Sequence, residues 1–266
     1  MNIIVCIKQI SDPEAPPSSF KVDQVTQKVI TIAGTASVIS PFDEYAIEAA
    51  LRIKEQKGGK VTAVSMGVKL QRDVVKKAIS MGVDELVLLE DPAFADVDSW
   101  STAYVLSEAI KKIGKYDLIL CGRQAADWDA GQVGSGVAEF LSLPCVTIAR
   151  KIEIVDNKVR IEKVITDGYE LIEMSLPGVI TLGNEHPAPR YPSIKGIMNA
   201  KKKEPLVWKP ADLGIDISIL GMGNRHLKLK KLYQPVLNTQ CEIISADTAE
   251  ESGVKLAEKL REAKVI

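Results

Sequence analysis

Aromatic residues are scarce here: Phe, Trp and Tyr make up 5% of 266 positions, while 46% are hydrophobic. The core must therefore be aliphatic, as it is where a parallel sheet is covered on both faces. Histidine is scarcer still. His186 and His226 stand alone and far apart in sequence, which argues against a histidine-centred metal site or catalytic triad. The four cysteines, Cys6, Cys121, Cys145 and Cys241, form no C-x-x-C pair. That spacing fits buried, reduced thiols in a cytosolic chain better than disulfides or zinc. With a net charge of −1 the chain has no bulk electrostatic basis for binding nucleic acid. No hydrophobic run reaches transmembrane length and the first residues lead straight into a strand, so the expectation is a soluble, cytoplasmic protein without membrane insertion or targeting segment. There is no internal repeat, no G-x-G-x-x-G and no Walker loop.

What is present centres on residues 117–144. Leu118 to Cys121 is a short apolar run of the kind that forms a buried strand. Gly122 ends it, a polar loop follows through Asp129, and Gly131, Gly134 and Gly136 open an apolar helix over Val137 to Leu143 that Pro144 closes. A strand, a glycine-rich turn and a helix start together can hold an anion, through free main-chain N–H groups and the positive end of the helix dipole. The glycines allow a phosphate to approach. The same pattern also describes a helix start packed closely on its strand, and spacing alone leaves both readings open.

The rest of the chain alternates strand and helix. Ile3 to Ile7 reads as a central strand, Ser11 to Ser19 as a proline-broken loop, and Phe20 to Val22 with Val29 to Ile32 as a hairpin. Ser40-Pro41-Phe42-Asp43 starts a helix, with Ser40 as its cap and Ala46, Ala49, Ala50 and Ile53 on its core face, and Gly58-Gly59 ends it. Strand Val61 to Met66, helix Leu70 to Met81 with Gly82 as left-handed cap, strand Glu85 to Leu89 and a helix near Ser101 to Ile113 follow. Val146 to Ile154, Val159 to Thr166, Tyr169 to Ser175 and Gly178 to Leu182 read as an antiparallel addition, with turns at Asp156-Asn157 and Asp167-Gly168. Glu204 to Ile244 shows no clear period beyond a brief alternation over Leu227 to Leu232. Thr248 to Lys264 is an amphipathic helix with Ser245 and Asp247 as capping candidates. The expected fold class is α/β: a doubly wound, mostly parallel sheet with an antiparallel strand addition, plus a C-terminal arm and helix. The expected division is residues 1–204 as a nucleotide-binding domain and 205–266 as the arm. In such sheets ligands lie at the carboxyl ends of strands, where Cys6, Met66 and the loop from Gly122 to Gly134 fall.

Several segments, in order along the chain, carry a resemblance. They are Asn2 to Gln9, Ser40-Pro41-Phe42-Asp43-Glu44, Cys121-Gly122-Arg123-Gln124-Ala125, Asp167-Gly168-Tyr169-Glu170 through Leu176 to Thr181, and Pro189-Arg190-Tyr191 leading to Ala200-Lys201-Lys202-Lys203. Together they resemble the β subunit of electron-transfer flavoproteins over nearly the whole chain. The resemblance implies a heterodimer with an α subunit that holds a redox-active FAD, carrying electrons between a flavin-dependent dehydrogenase and other acceptors. It implies AMP or a second FAD on the β subunit; members with the second FAD can take hydride from NADH and divide its electrons between acceptors, a process called bifurcation. By position, the implied nucleotide contacts are Cys6, Ser40, Met66, Gly122, Arg123, Gln124, Asp127, Gly131, Gln132, Val133 and Gly134, and Phe42 matches an aromatic beside the α-subunit flavin. Tyr191, Ile194, Ile197, Met198 and Lys202 match a recognition loop for dehydrogenases, with Ile194 as its apolar anchor. The C-terminal arm is implied to contact the α subunit. No residue is assigned a catalytic or metal-binding role.

Departures from the family pattern matter too. Ser40 stands where asparagine is common. Trp128 lies between Asp127 and Asp129, which are expected to bond loop backbone or ribose hydroxyls; the indole itself can pack on its own loop or fill the cofactor space. Asp12-Pro13-Glu14-Ala15 has no counterpart to the tyrosine that occupies flavin space in AMP-binding relatives, which favours FAD. Two other classes compete with this reading. One is a free-standing adenine-nucleotide module of the universal-stress type, against which the long tail speaks. The other is a hydrolase using a loop carboxylate, for which no acid, base and metal-ligand constellation is visible.

Overall fold

The computed structural model describes residues 1–221, 223, 225–235 and 241–266. Strand β1 (Asn2–Ile7) runs through the middle of a nine-stranded sheet. A short β2 (Gln9–Ser11), the hairpin β3 (Phe20–Asp23) and β4 (Lys28–Thr31), and β5 (Ser37–Ile39) lead from it to α1 (Pro41–Lys57). Then come β6 (Lys60–Gly67), two short helices α2 (Arg72–Val75) and α3 (Lys77–Met81), β7 (Glu85–Glu90), α4 (Ser99–Ile113), β8 (Leu118–Gly122) and α5 (Val133–Leu141). The second half holds β9 (Cys145–Val155), β10 (Lys158–Ile165), β11 (Gly168–Ser175), β12 (Gly178–Leu182), α6 (Ile194–Lys202), β13 (Leu206–Trp208) and α7 (Ala249–Glu262).

The sheet order is β11-β10-β9-β12-β8-β1-β6-β7-β13, parallel throughout except for the β9–β10 and β10–β11 pairs. Two aliphatic layers cover it. Alternate residues of β1 (Ile3, Val5, Ile7) meet α1 and α3, and the others (Ile4, Cys6) meet α4 and α5. Leu118, Ile119 and Leu120 are fully buried, each contributing roughly 1.5–3 kcal/mol through burial. This is the doubly wound sheet that the aliphatic runs imply.

Local departures have local causes. The first-half helix expected over 70–81 starts at Arg72 and pauses at Lys76. The N–H of Leu70 is taken by Glu90 and that of Gln71 by Gln9, which holds both residues outside the helix. The helix after the glycine-rich loop spans Val133–Leu141 rather than 137–143, so Gly134 and Gly136 lie inside it, and a left-handed Ser142 ends it. Strand β12 is not antiparallel: it returns between β8 and β9, parallel to both. Asp98 caps α4 through the Ser101 N–H, so the helix starts at Ser99, two residues earlier than expected. The proline-rich loop carries β2 and a 3-10 turn at Pro17–Ser19. Thr248, not Ser245 or Asp247, caps α7.

Beyond residue 204 the chain still feeds the sheet. Strand β13 pairs with β7, and Ile215 and Leu220 are buried under α4 and its neighbours. The alternation over 227–232 forms no strand among the described residues, and positions 222, 224 and 236–240 of this aperiodic stretch lie outside them. Helix α7 buries none of its residues. The cysteines are all free, but only Cys6 and Cys121 are buried; Cys145 is half-buried and Cys241 exposed.

Candidate functional site

Strand order reverses beside β1. From β1 the chain moves to β6 and β7, then crosses back to lay β8 on the other side of β1. The β1–β8 ladder stops at the Cys6–Cys121 pair. Beyond it the strand ends diverge, leaving the crevice at which doubly wound sheets hold ligands.

The N–H groups of Lys8 and Gly122, just past the ladder, would have no partner there. Asp43, in the first turn of α1, supplies one to each: Oδ2 accepts from the Lys8 N–H at 2.8 Å and Oδ1 from the Gly122 N–H at 3.1 Å. Lys8 answers with its carbonyl, which accepts the Ser40 N–H at 2.8 Å. Ser40 sits at the N-cap position, yet its hydroxyl caps nothing in its own helix. It faces the loop instead and accepts the Ala126 N–H at 3.4 Å. Burial pushes the Asp43 carboxyl up to about 7, against the opposing pull of the Lys8 and Gly122 N–H groups and the Lys8 charge; Asp127 adds to the rise. A side chain at Gly122 would strike Asp43 and the main chain of Phe42, so this glycine is required by the packing of α1 against the loop.

The loop is braced from within. Lys8 Nζ binds both oxygens of Asp127, at 2.9 and 2.7 Å, and Gln124 Nε2 donates to Asp129 at 2.8 Å. The two aspartates thus bond side chains, not the loop backbone. Trp128 is 55% exposed. Gly131 adopts a left-handed φ of 64°, and the chain then enters α5 through Gln132, with no side chain capping the helix. Its first N–H groups are therefore free to meet an anion. Gly134 and Gly136 have a packing reason: added Cβ atoms would lie 2.6 Å from Thr181 and 2.7 Å from Ala103. At these two positions close helix packing accounts for the glycines. Arg123 turns toward Glu185 (2.9 Å) and lies over the Phe42 ring at 5.0 Å.

Cys6, Met66 and Gly122 thus stand at the carboxyl ends of β1, β6 and β8, Ser40 at the start of α1, and Arg123, Gln124, Asp127, Gly131, Gln132, Val133 and Gly134 on the chain from β8 into α5, with Phe42 under the Arg123 guanidinium. The segment expected to recognise dehydrogenases lies elsewhere, as helix α6 packed on α3. Ser193 caps α6 through the Gly196 N–H at 3.0 Å. A Cβ at Gly196 would collide with the Ser80 carbonyl, which shows how closely the helix is pressed down. Ala200 is the buried contact, while Tyr191 (95%), Ile194 (81%), Ile197, Met198 and Lys202 face outward. Ile194 does not pack inward.

Three features lay beyond the reach of pattern reading. Asp43 looked like an ordinary first-turn acid. Glu48, buried in α1, accepts from the Arg190 N–H, Nε and Nη2 and from Arg52 Nε, and Arg190 also binds Glu55. This clamps the chain just ahead of Tyr191 onto α1. Asp98 accepts the N–H groups of His226 and Leu227, strapping the tail across the start of α4, where His226 lies on Trp100. The one sequence clue was Pro189-Arg190-Tyr191, which marks Arg190 without naming its partner.

Among the described residues no group of three or more His, Cys, Asp or Glu side chains is placed to hold a metal, and no helix is long and apolar enough to cross a membrane. The electron transfer flavoprotein domain family matches residues 27–213. The electron transfer flavoprotein subunit beta of Thermoanaerobacterium thermosaccharolyticum is 42% identical, with both chains covered in full. The Caffeyl-CoA reductase-Etf complex subunit CarD of Acetobacterium woodii is 36% identical, again over the whole of both chains. Protein FixA of Azorhizobium caulinodans is 33% identical over 88% of this chain and 85% of its own.

Proposed function

Since this chain belongs to the electron transfer flavoprotein family as a β subunit, we propose that its crevice holds FAD and that it works as a heterodimer with a flavin-bearing α subunit. In this reading the dimer carries electrons between a flavin-dependent dehydrogenase and other redox partners. A β-bound FAD would supply hydride acceptance from NADH, with the two electrons then divided between acceptors.

The observation that carries the reading is the uncapped start of α5 at the strand reversal, joined to a loop braced from both sides. The residues fit a nucleotide phosphate. The N–H groups of Gly131 to Gly134 and the Gln132 side chain supply donors, while Arg123 is committed to Glu185 and Phe42. The dipole alone contributes roughly 0.3–1 kcal/mol, so main-chain hydrogen bonds supply most of the grip. One observation favours FAD over AMP. The proline-rich loop is held by β2 pairing with β5 and by Gln9 accepting from Gln71, and Asp12 to Ala15 bring no aromatic ring. The second reading, AMP with a single flavin on the α subunit, uses the same phosphate contacts.

The dehydrogenase would dock on α6. Tyr191, Ile194, Ile197 and Met198 form an exposed apolar face on a helix seated firmly against α3 and clamped through Arg190, so little ordering is needed on binding. Lys201 and Lys202 would steer acidic partners. Helix α7, which buries nothing on this chain, would pack on the α subunit. Cytoplasmic residence follows from the same reading. Anaerobic addition of NADH to the purified heterodimer tests the donor: flavin reduction within turnover time supports it, and flavin that stays oxidised under excess NADH refutes it.

A further inference from the structure

We infer that Asp43 is a positioning residue of the nucleotide site: its carboxylate ties the ends of β1 and β8 to the first turn of α1, so that the phosphate loop and the Phe42 face form one body. The inference rests on the nucleotide reading above.

The geometry is reciprocal. Asp43 takes the Lys8 N–H, and the Lys8 carbonyl takes the Ser40 N–H three residues before Asp43. The same carboxylate takes the Gly122 N–H, and Ser40 takes that of Ala126. Four main-chain groups, on Lys8, Gly122 and Ala126, therefore hang on the start of one helix. Gly122 lies so close that no side chain fits between them. Nothing on the loop's own sequence could hold its root this way, because Asp127 and Asp129 are already engaged by Lys8 and Gln124.

Both oxygens are acceptors, which the ionised carboxyl provides and an amide does not: an asparagine would set its NH2 against one of the N–H groups. The groups facing Asp43 are Lys8 at the exit of β1, Cys121 from β8 and Asp127 from the loop; Lys8 favours the ionised form, and Asp127 opposes it. With the carboxyl pushed up to about 7 by burial, the tie weakens as it takes a proton near neutrality.

The test is FAD titration of the heterodimer, stripped of β-bound nucleotide with the α-subunit flavin retained. FAD is the probe because its pyrophosphate gains no proton between about pH 6 and 8. For the unsubstituted protein, affinity should fall as pH drops through about 7. Asp43→Asn should bind about tenfold more weakly at pH 8, show no such pH dependence, and keep its α-subunit flavin. Equal affinity in Asp43→Asn, or a flat pH profile in the unsubstituted protein, overturns the role of Asp43. No FAD binding by the unsubstituted protein at any pH overturns the nucleotide reading and this inference with it. Should Asp43→Asn fail to fold, Asp43→Glu, which keeps the charge but displaces both oxygens from the Lys8 and Gly122 N–H groups, takes its place, and FAD affinity equal to that of the unsubstituted protein overturns the role of Asp43.

Discussion

Replacing Glu48 with Gln removes the charge that clamps the chain leading into α6 onto α1. The Glu48 side chain is 2% exposed and takes hydrogen bonds from Arg190 at 2.8 Å and Arg52 at 2.6 Å. Burial alone would raise its carboxyl, but the bonds from Arg190 and Arg52 outweigh it and hold the group at about 2, against an ordinary 4.5. That depression corresponds to roughly 3 kcal/mol favouring the folded state. Because the folded value lies below the unfolded one, the stabilisation is present above about pH 4.5 and is lost as pH falls toward about 2. Seen from the other side, the same energy is what the exposed Arg52 and half-buried Arg190 guanidinium groups lose when Glu48→Gln removes their charged partner. Urea unfolding at pH 7 should show the variant less stable by about 2–4 kcal/mol, and the gap should narrow to roughly half by about pH 3. Equal stability at pH 7, or a gap that does not narrow in acid, would refute the reasoning.

Three further outcomes are expected. Ile194→Ala removes the most exposed aliphatic side chain of α6; electron transfer from the dehydrogenase at low partner concentration should slow about tenfold with flavin content unchanged, and unaltered kinetics would reject α6 as the docking face. Asp98→Ala removes both the cap of α4 and the strap on the tail; the melting curve should lose about 1 kcal/mol and proteolytic cleavage near 225–232 should speed up, whereas an unchanged digestion pattern would show that Trp100 and Gln27 hold the tail without it. Gly136→Val should destabilise the fold by driving α5 off Ala103, and a variant of full stability would contradict the packing account of that glycine.

The legible part of this protein was the part governed by periodicity. Runs such as Ile3 to Ile7 and Leu118 to Leu120 announce buried strands, and the alanine face of α1 announces its core side. Family resemblance then assembled the crevice residues, and the fold sets them at strand ends, at the start of α1 and on the chain from β8 into α5. Illegible were the contacts set by tertiary approach. Asp43 and Glu48 are acids on a helix whose pattern marks neither as buried, since what makes them so is the arrival of Lys8, Gly122 and Arg190 from 35, 79 and 142 residues away. Helix α5 begins four residues early because Gly134 and Gly136, which read locally as breakers, are answered by Thr181 and Ala103. Strand β12 looked like one more hairpin strand, and only its partner across the sheet, β8, gives it its direction.

The central claim is that the crevice between β1 and β8 holds a flavin. Its most direct test is to co-express the chain with its α subunit, supply excess FAD during purification, denature the heterodimer and count every released nucleotide. The account expects two FAD per heterodimer and no AMP. One FAD with stoichiometric AMP would contradict it and leave a single-flavin carrier.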